Sequence, residues 1–122
     1  MVDITDEVAA HLAESRVSSG LCNVFCPGST GAVTTIEYEE GLLVDFPKAM
    51  ERIAPANAEY EHHLRWGDGN GHSHVRASVI GPSLTVPVVD GKVTLGTWQQ
   101  IVFIDFDNRP RSREIEVTLV GE

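Results

Sequence analysis

The chain has 122 residues and a formal charge of −9, with 42% hydrophobic and 22% charged residues. This composition is typical of one globular domain, residues 1–122, with a core of ordinary size. The negative charge argues against a nucleic-acid or membrane-surface partner, because both require a broad positive field. The acidic start of the chain is unlike a secretory signal, so we expect a cytoplasmic protein.

Helices and strands alternate in the first half of the chain. Thr5, followed by two acidic residues, is a candidate N-cap and predicts a helix. The apolar run Leu21–Phe25 and the alternating run Ala32–Tyr38 predict two strands, paired with each other through the Gly-rich turn between them. An N-cap aspartate and a proline in the first turn predict a second helix over Asp45–Ile53.

From His74 onward the pattern is almost entirely that of β-strands. The dipeptide Asp90-Gly91 is a strong type I′ hairpin signal between two of them. The predicted strands of this half are His74–Ile80, Leu84–Val89, Lys92–Leu95, Gln100–Phe106 and Arg113–Val120. Short strands, tight turns and two helices predict a single compact α+β domain, made mainly of an antiparallel β-sheet or sandwich.

Four of the five histidines lie between Tyr60 and His74. Neutral imidazole binds zinc-like metals and also transfers protons near neutral pH. On an entering strand His72 and His74 would share a face, and a flexible Gly-rich turn would bring His62 to them. Three histidines that leave one position open match a catalytic type of metal site. The spacing matches no standard zinc motif, and some of these histidines could equally be solvated loop residues.

Several polar residues are suited to binding an anion. Ser29 and Thr30 lie in the loop between the first two strands and offer hydroxyls and backbone amides to a phosphate or carboxylate. Asn70 lies in a Gly-rich segment that is either a simple turn or a loop that approaches an anion. Arg111 and Arg113 lie at the alternating positions that the apolar residues of the last strand occupy. They therefore face a cleft or interface and bind phosphate, or else they guard a sheet edge.

Two further side chains have roles that the sequence leaves open. Glu37 ends an alternating strand and is either a metal ligand or general base in a cleft, or an exposed strand residue. Trp98 is either a core residue or a wall of the pocket. Cys22 and Cys26 are expected to be buried free thiols, because residues four apart in a strand lie too far from each other to form a disulfide.

Five separated segments together resemble the YjbQ family, whose members are also called secondary thiamine-phosphate synthase enzymes. The segments are Phe25–Thr34, Tyr60–His62, Ser73–His74, Gly81–Leu84 and Leu95–Gln99. The C-terminal Val117–Glu122 is similar as well, so the resemblance covers nearly the whole chain.

The resemblance implies a β-rich α+β fold that assembles as a homotrimer or a dimer of trimers. It implies a metal-associated histidine site near the subunit boundary, and weak thiamine-phosphate synthase activity in some members. That reaction joins a pyrimidine diphosphate to a thiazole phosphate and releases pyrophosphate. By position, His62 and His74 match the family's histidines, and Glu37 matches its strand-end glutamate. Trp98 and Gln99 match its Gly-Thr-Trp-Gln segment.

The chain departs from the family pattern in two places. Many members have a histidine at the position of Gly28, and we hypothesise that His72 replaces that ligand. Relatives usually carry a strand before the Asp3-Ile4-Thr5 segment, close to which this chain starts. We therefore expect either an upstream strand or an open sheet edge.

Two functional hypotheses follow. The first is an enzyme, a thiamine-phosphate synthase-like transferase acting on a small phosphorylated molecule. A divalent metal (zinc or magnesium) and the arginines would neutralise the phosphate, and Glu37 or His62 would move protons. The second is a metal- or small-ligand-binding trimer without turnover, because the chain has no standard nucleophile motif.

Overall fold

A computed structural model describes residues 1–122 and contains seven strands and four helices. The strands are β1 (Val2–Asp3), β2 (Ser19–Phe25), β3 (Gly31–Ile36), β4 (Ser83–Val89), β5 (Lys92–Val93), β6 (Gln100–Asp105) and β7 (Glu116–Gly121). The helices are α1 (Thr5–Ser15), α2 (Glu40–Ile53), α3 (Glu61–Trp66) and α4 (Gly71–Ile80). The predicted α+β class is confirmed. None of the helices has the length and apolar character that a membrane span requires.

The strands form two antiparallel sheets with a shared core. One sheet has the order β1-β6-β3 and the other β5-β4-β2-β7. Alternate side chains of both sheets bury a common cluster that includes Val24, Val33, Val88 and Ile101. The amphipathic helix α1 adds Leu12 to the same cluster, because its apolar positions recur at helical spacing.

Helices α2 and α4 provide a second buried layer outside the common cluster. Helix α4 packs on β3. Met50 of α2, Ala54 at the end of α2 and Ala77 of α4 are nearly inaccessible to solvent. This layer places the start of α4 beside the start of β3. The polar residues at those two points therefore come close together.

Several local predictions are confirmed. Asp90 and Gly91 have φ angles of 50° and 72°, as a type I′ turn between β4 and β5 requires. Cys22 and Cys26 are buried free thiols. Burial raises the pKa of both thiols, and for Cys26 the nearby Arg113 offsets part of that rise.

The predicted pairing of the first two long strands is wrong. β2 pairs with β4 on one side and β7 on the other, whereas β3 pairs with β6 in the opposite sheet. The connecting loop crosses between the sheets, and Cys26 N donates to Pro82 O while Thr30 O accepts from Phe106 N. Alternation identifies the buried face of a strand but does not identify its partner.

The predicted strand His74–Ile80 is also wrong, because these residues form most of helix α4. His72, Ser73 and Ala77 are buried, a spacing that fits a helix and not a strand. The β-branched Val75 and Val79 suggested a strand, yet their side chains are exposed. His72 and His74 therefore do not share a face, since residues two apart on a helix point in nearly opposite directions.

The remaining corrections concern element ends and helix number. Four helices are present, not two, because α3 buries no residue and so has no apolar periodicity to detect. Helix α2 starts earlier than predicted, since the Glu39 carboxylate accepts hydrogen bonds from the amides of Gly41 and Leu42. The last strand starts at Glu116, after Arg113 has turned toward Asp105.

Candidate functional site

A polar cavity of about 410 Å³ opens where β3 begins and β6 ends. The loop after β6 and the segment before α4 form its other walls. None of the lining side chains is hydrophobic. The lining comes from Gly28–Thr30, from Asp68, Asn70 and His74, and from Asp107 and Arg111–Arg113.

Asp107 lies at the centre of the hydrogen bonds beneath this cavity, with a side chain that is only 3% exposed. Its Oδ2 accepts from Thr30 Oγ1 at 3.0 Å and Arg111 Nε at 3.2 Å, and more distantly from Asn70 Nδ2 at 3.4 Å. Its Oδ1 accepts from the Arg109 amide. Burial alone would raise the pKa of Asp107, but this amide, the Thr30 hydroxyl and the Arg111 charge lower the pKa to about 2. Asp107 is therefore an ionised support for its neighbours.

Arg113 is fixed by a second carboxylate and by the same threonine. Its Nε and Nη2 donate to the two oxygens of Asp105, both at 3.1 Å, and Nη2 also donates to Thr30 Oγ1 at 2.6 Å. The Asp105 hydrogen bonds raise the pKa of Arg113 above its usual value. Nη1 lies 2.8 Å from the place that a Cβ would take at Gly28, whose φ is +130°. A side chain at that position would displace the guanidinium.

Several donors around the cavity have no hydrogen-bond partner in the protein. They are Nη1 and Nη2 of Arg111, Nη1 of Arg113 and the hydroxyls of Ser29 and Ser112. Donors held in place by carboxylates and directed at open space are suited to the oxygens of a phosphate or a carboxylate.

His62 and His74 lie side by side at the opposite wall, with ring centroids 4.5 Å apart. His62 Nε2 lies 3.4 Å from Asp68 Oδ1, but the approach is not along a hydrogen-bonding direction, and this buried nitrogen has no hydrogen-bond partner. Burial raises the pKa of Asp68. The Asn70 amide and the charge on His62 lower it by more, so the pKa lies below its usual value.

His72 lies apart from this pair. It is buried among other groups, with its ring 6.4 Å from that of Tyr60, and its Nδ1 has no hydrogen-bond partner. Burial, and the nearby Arg76, lower the pKa of His72. His63 is placed differently again, since its Nε2 accepts from the Gly71 amide at 3.3 Å. The helical geometry of α4 thus separates His72 from His74.

The donor set bears on which metal the site fits. No group of three or more His, Cys, Asp or Glu side chains is arranged to hold an ion. His62 and His74, with Asp68 adjacent, offer two imidazoles, which is fewer than the three protein ligands of a catalytic zinc site. Magnesium prefers oxygen ligands and strict octahedral geometry, so a pair of imidazoles fits it poorly.

Three residues predicted for the site lie at the other end of the same sheet. Glu37 follows the end of β3, about 20 Å along the strand from Thr30, and its side chain is exposed. Trp98, which is 70% exposed, and Gln99 precede β6. Gln99 accepts from the Gly96 amide through Oε1 and lies 3.4 Å from Thr35 Oγ1. Within one chain these residues do not meet the cavity.

The sequence reasoning missed the acidic residues of the site. Asp105, Asp107 and Asp68 were not singled out, although they fix the arginines and border the histidines. Asp107 and Arg111 are four residues apart, but that spacing indicates an ion pair only in a helix, and this segment is a loop. The link from Asp107 to Thr30 depends on the strand pairing and had no local signal.

The fold and the site define the class of protein: a two-sheet α+β domain with a wholly polar, arginine-lined cavity. Comparison with known proteins identifies its family. The family model described as "UPF0047 protein YjbQ-like" matches residues 1–122. The chain belongs to this YjbQ-like UPF0047 family.

Individual relatives agree with that assignment. A UPF0047 protein of Methanothermobacter thermautotrophicus is 41% identical over 122 residues, covering 100% of this chain and 83% of the relative. YugU of Bacillus subtilis is 34% identical and covers 99% and 86%. A crystal structure from Sulfolobus solfataricus, described as a YbjQ-like protein of unknown function, is 34% identical with a TM-score of 0.94 and covers 99% and 86%.

Proposed function

We propose that this chain binds a small phosphorylated molecule in the polar cavity. The observation that carries the proposal is the pair of anchored guanidinium groups. Arg111 is held by Asp107 and Arg113 by Asp105, and each retains unpaired N–H donors. Preorganised guanidinium donors match the oxygens of phosphate, and ordering them in advance lowers the entropic cost of binding. The Ser29 hydroxyl is proposed to donate a further hydrogen bond.

Thr30 and Asn70 support the ligand site indirectly in this proposal. The Thr30 hydroxyl and the Asn70 amide both donate to Asp107. They hold the carboxylate that in turn orients Arg111. Their loss would therefore weaken ligand binding by disordering the arginine.

Charge balance makes an additional cation part of the proposal. The lining contains two arginines and two aspartates, and Asp105 contributes another carboxylate next to it. A phosphate dianion thus gains little from the net charge of the site. We propose that a divalent metal, zinc in preference to magnesium, is held by His62 and His74. When bound, it would act as a Lewis acid that neutralises phosphate charge.

The catalytic form of the proposal is a transferase reaction. The family resemblance suggests a thiamine-phosphate synthase-like transfer with loss of pyrophosphate. His62 is proposed to move a proton when it does not hold metal, and Glu37 to act from a neighbouring chain. This requires a homotrimer or a dimer of trimers, in which the exposed Trp98 and Gln99 also approach the cavity of a neighbour and contact the ligand.

The alternative is a metal- or ligand-binding trimer without turnover. One observation favours it: no accessible hydroxyl or thiol is hydrogen-bonded to a histidine ring. Ser73 Oγ is 3.4 Å from His72 Nε2, but Ser73 is fully buried. The two cysteine thiols are buried with raised pKa values, so neither is a reactive thiolate.

Calorimetric titration of inorganic phosphate tests the binding proposal. The zinc-treated protein is expected to bind phosphate, and Arg111→Gln to weaken binding by about tenfold or more, since a charge-assisted hydrogen bond is lost. Arg109→Gln is the matched control, because Arg109 lies in the same loop but does not line the cavity. Equal affinities for the two variants would refute the assigned site.

Pyrophosphate release from the thiamine precursors tests the catalytic form. We expect a metal-dependent rate that falls in Glu37→Gln and in His62→Ala. Phosphate binding without any pyrophosphate release would support the alternative, a binding protein. A rate that both substitutions leave unchanged would mean that the reaction takes place elsewhere.

A further inference from the structure

We propose that Gly28 is a specificity-determining residue of the cavity, because the side chain that it lacks leaves the space in which the Arg113 guanidinium reaches the ligand. Through this placement Gly28 favours a phosphate group, which has three unesterified oxygens, over a carboxylate, which has two. The inference rests on the proposed phosphate site and adds the residue that sets its preference among anions.

The contact between Gly28 and Arg113 is closer than a side chain at position 28 would allow. A Cβ there would lie 2.8 Å from Arg113 Nη1, well inside the roughly 3.5–4.0 Å at which non-bonded heavy atoms pack. The φ of Gly28 is +130°, a backbone conformation that favours glycine over residues with a side chain. Both the free space and the backbone therefore depend on glycine at this position.

Arg113 cannot move aside without losing other interactions. Its Nε and Nη2 donate to the two oxygens of Asp105, and Nη2 also donates to Thr30 Oγ1. The side chain is only 15% exposed, so a broken bond here is not fully replaced by water. A side chain at Gly28 would therefore either turn Nη1 away from the cavity or detach the guanidinium from Asp105 and Thr30.

The donors of the two arginines divide unequally between the two kinds of anion. Arg111 is bound to Asp107 through Nε alone, so its Nη1 and Nη2 form a fork that suits two oxygens of one ligand. Arg113 contributes Nη1, the nitrogen that faces Gly28. A carboxylate uses both of its oxygens on the Arg111 fork. A phosphate has a third oxygen, and this oxygen is the one that Arg113 Nη1 is placed to bind.

Titration of the zinc-treated protein with inorganic phosphate and with acetate, followed by amide chemical shifts in NMR spectra, tests the role of Gly28. We expect Gly28→Ala to weaken phosphate binding by about tenfold or more, the effect of one hydrogen bond between charged groups. Acetate binding should weaken by much less, so the ratio of phosphate to acetate affinity falls. Gly81→Ala is the matched control, because Gly81 also has a positive φ, +96°, but no heavy atom lies within 4 Å of its Cβ position.

Two further variants show whether Gly28 acts through the guanidinium. In an Arg113→Gln background, Gly28→Ala should not weaken phosphate binding any further, whereas a general loss of structure would add to the first effect. Arg113→Lys keeps the positive charge but has no Nη1. It should lower the same affinity ratio, and it provides the test if Gly28→Ala does not fold.

The outcomes separate this inference from the proposed function. If the wild type binds no phosphate, the proposed function fails and this inference fails with it. If the wild type binds phosphate but Gly28→Ala and Gly81→Ala give the same affinity ratio, the phosphate site stands and the role of Gly28 is overturned. Additive effects of Gly28→Ala and Arg113→Gln, or an unchanged ratio in Arg113→Lys, would overturn it as well.

Discussion

Thr30 and Asp107 lie 77 residues apart in the chain, and their side chains are joined by a hydrogen bond of 3.0 Å. Thr30 directly precedes β3 and Asp107 closely follows β6, so the bond joins the ends of two paired strands. The same hydroxyl accepts a hydrogen bond from Arg113. One threonine therefore connects the central carboxylate of the site to one of its two arginines.

Replacing Thr30 by valine removes this connection while keeping the shape of the side chain. Asp107 and Arg113 would each lose a partner in a largely buried setting, and we expect the free energy of unfolding to fall by about 1–3 kcal/mol. Urea denaturation at neutral pH measures the change. Thr30→Ser keeps the hydroxyl and should lie much closer to the wild type. Equal stabilities for the valine and serine variants would contradict the role of the hydroxyl.

Asp107 should make stability depend on acid pH. Its pKa is lowered to about 2 in the folded chain, so its contribution is present above the ordinary aspartate pKa and is lost as the pH falls from about 5 toward 2. We expect the loss to amount to about 1–2 kcal/mol. Urea denaturation across this range should give a smaller slope for Asp107→Asn than for the wild type. The exposed Asp90 provides a control through Asp90→Asn, and identical slopes in all three proteins would contradict the prediction.

His72 should make stability depend on pH in a higher pH range than Asp107 does. Burial lowers its pKa in the folded chain, so the unfolded chain takes up the proton more readily. Stability is then complete above the ordinary histidine pKa and decreases as the pH falls through it toward the lowered value. His72→Phe cannot titrate and is expected to reduce the loss of thermal stability between pH 7.5 and pH 5.5, about the range over which an ordinary histidine titrates. His11→Phe, on the exposed face of α1, should leave the loss unchanged.

The fold was predictable where chemistry is local. The Asp90-Gly91 dipeptide identified the hairpin, because these residues tolerate the positive φ values of a type I′ turn, and the strand before it was predicted to within one residue of β4. Helix α4 was missed because Val75 and Val79, which favour strands, lie on its exposed face. Its true signal is the burial of His72, Ser73 and Ala77, which tertiary packing decides.

The site was predictable in its composition and less so in its geometry. The sequence indicated His62, His74, Arg111 and Arg113, and all four lie at or beside one cavity. The grouping of His72 with His74 relied on a strand that the chain does not form. Asp107 had no apparent role until β6 was paired with β3, because its partner Thr30 is distant in sequence.

Zinc binding should distinguish the histidines from one another. His62→Ala and His74→Ala are each expected to weaken zinc binding by about tenfold or more, since both are proposed as direct ligands. His11→Ala should have no effect, and His72→Ala should have little, because its ring faces Tyr60. The measurement is competition with a zinc chelator at pH 7.5. Loss of zinc in His72→Ala but not in His74→Ala would contradict the proposed pair and favour His72 as a ligand, as the sequence predicted.

The central claim is that phosphate binds among the anchored arginines. The most direct test is a titration of the zinc-treated, isotope-labelled protein with inorganic phosphate, followed by amide chemical shifts in NMR spectra. We predict saturable shifts concentrated at Gly28–Thr30 and Arg111–Arg113. Saturable shifts that avoid both segments, or no shifts at all, would contradict it.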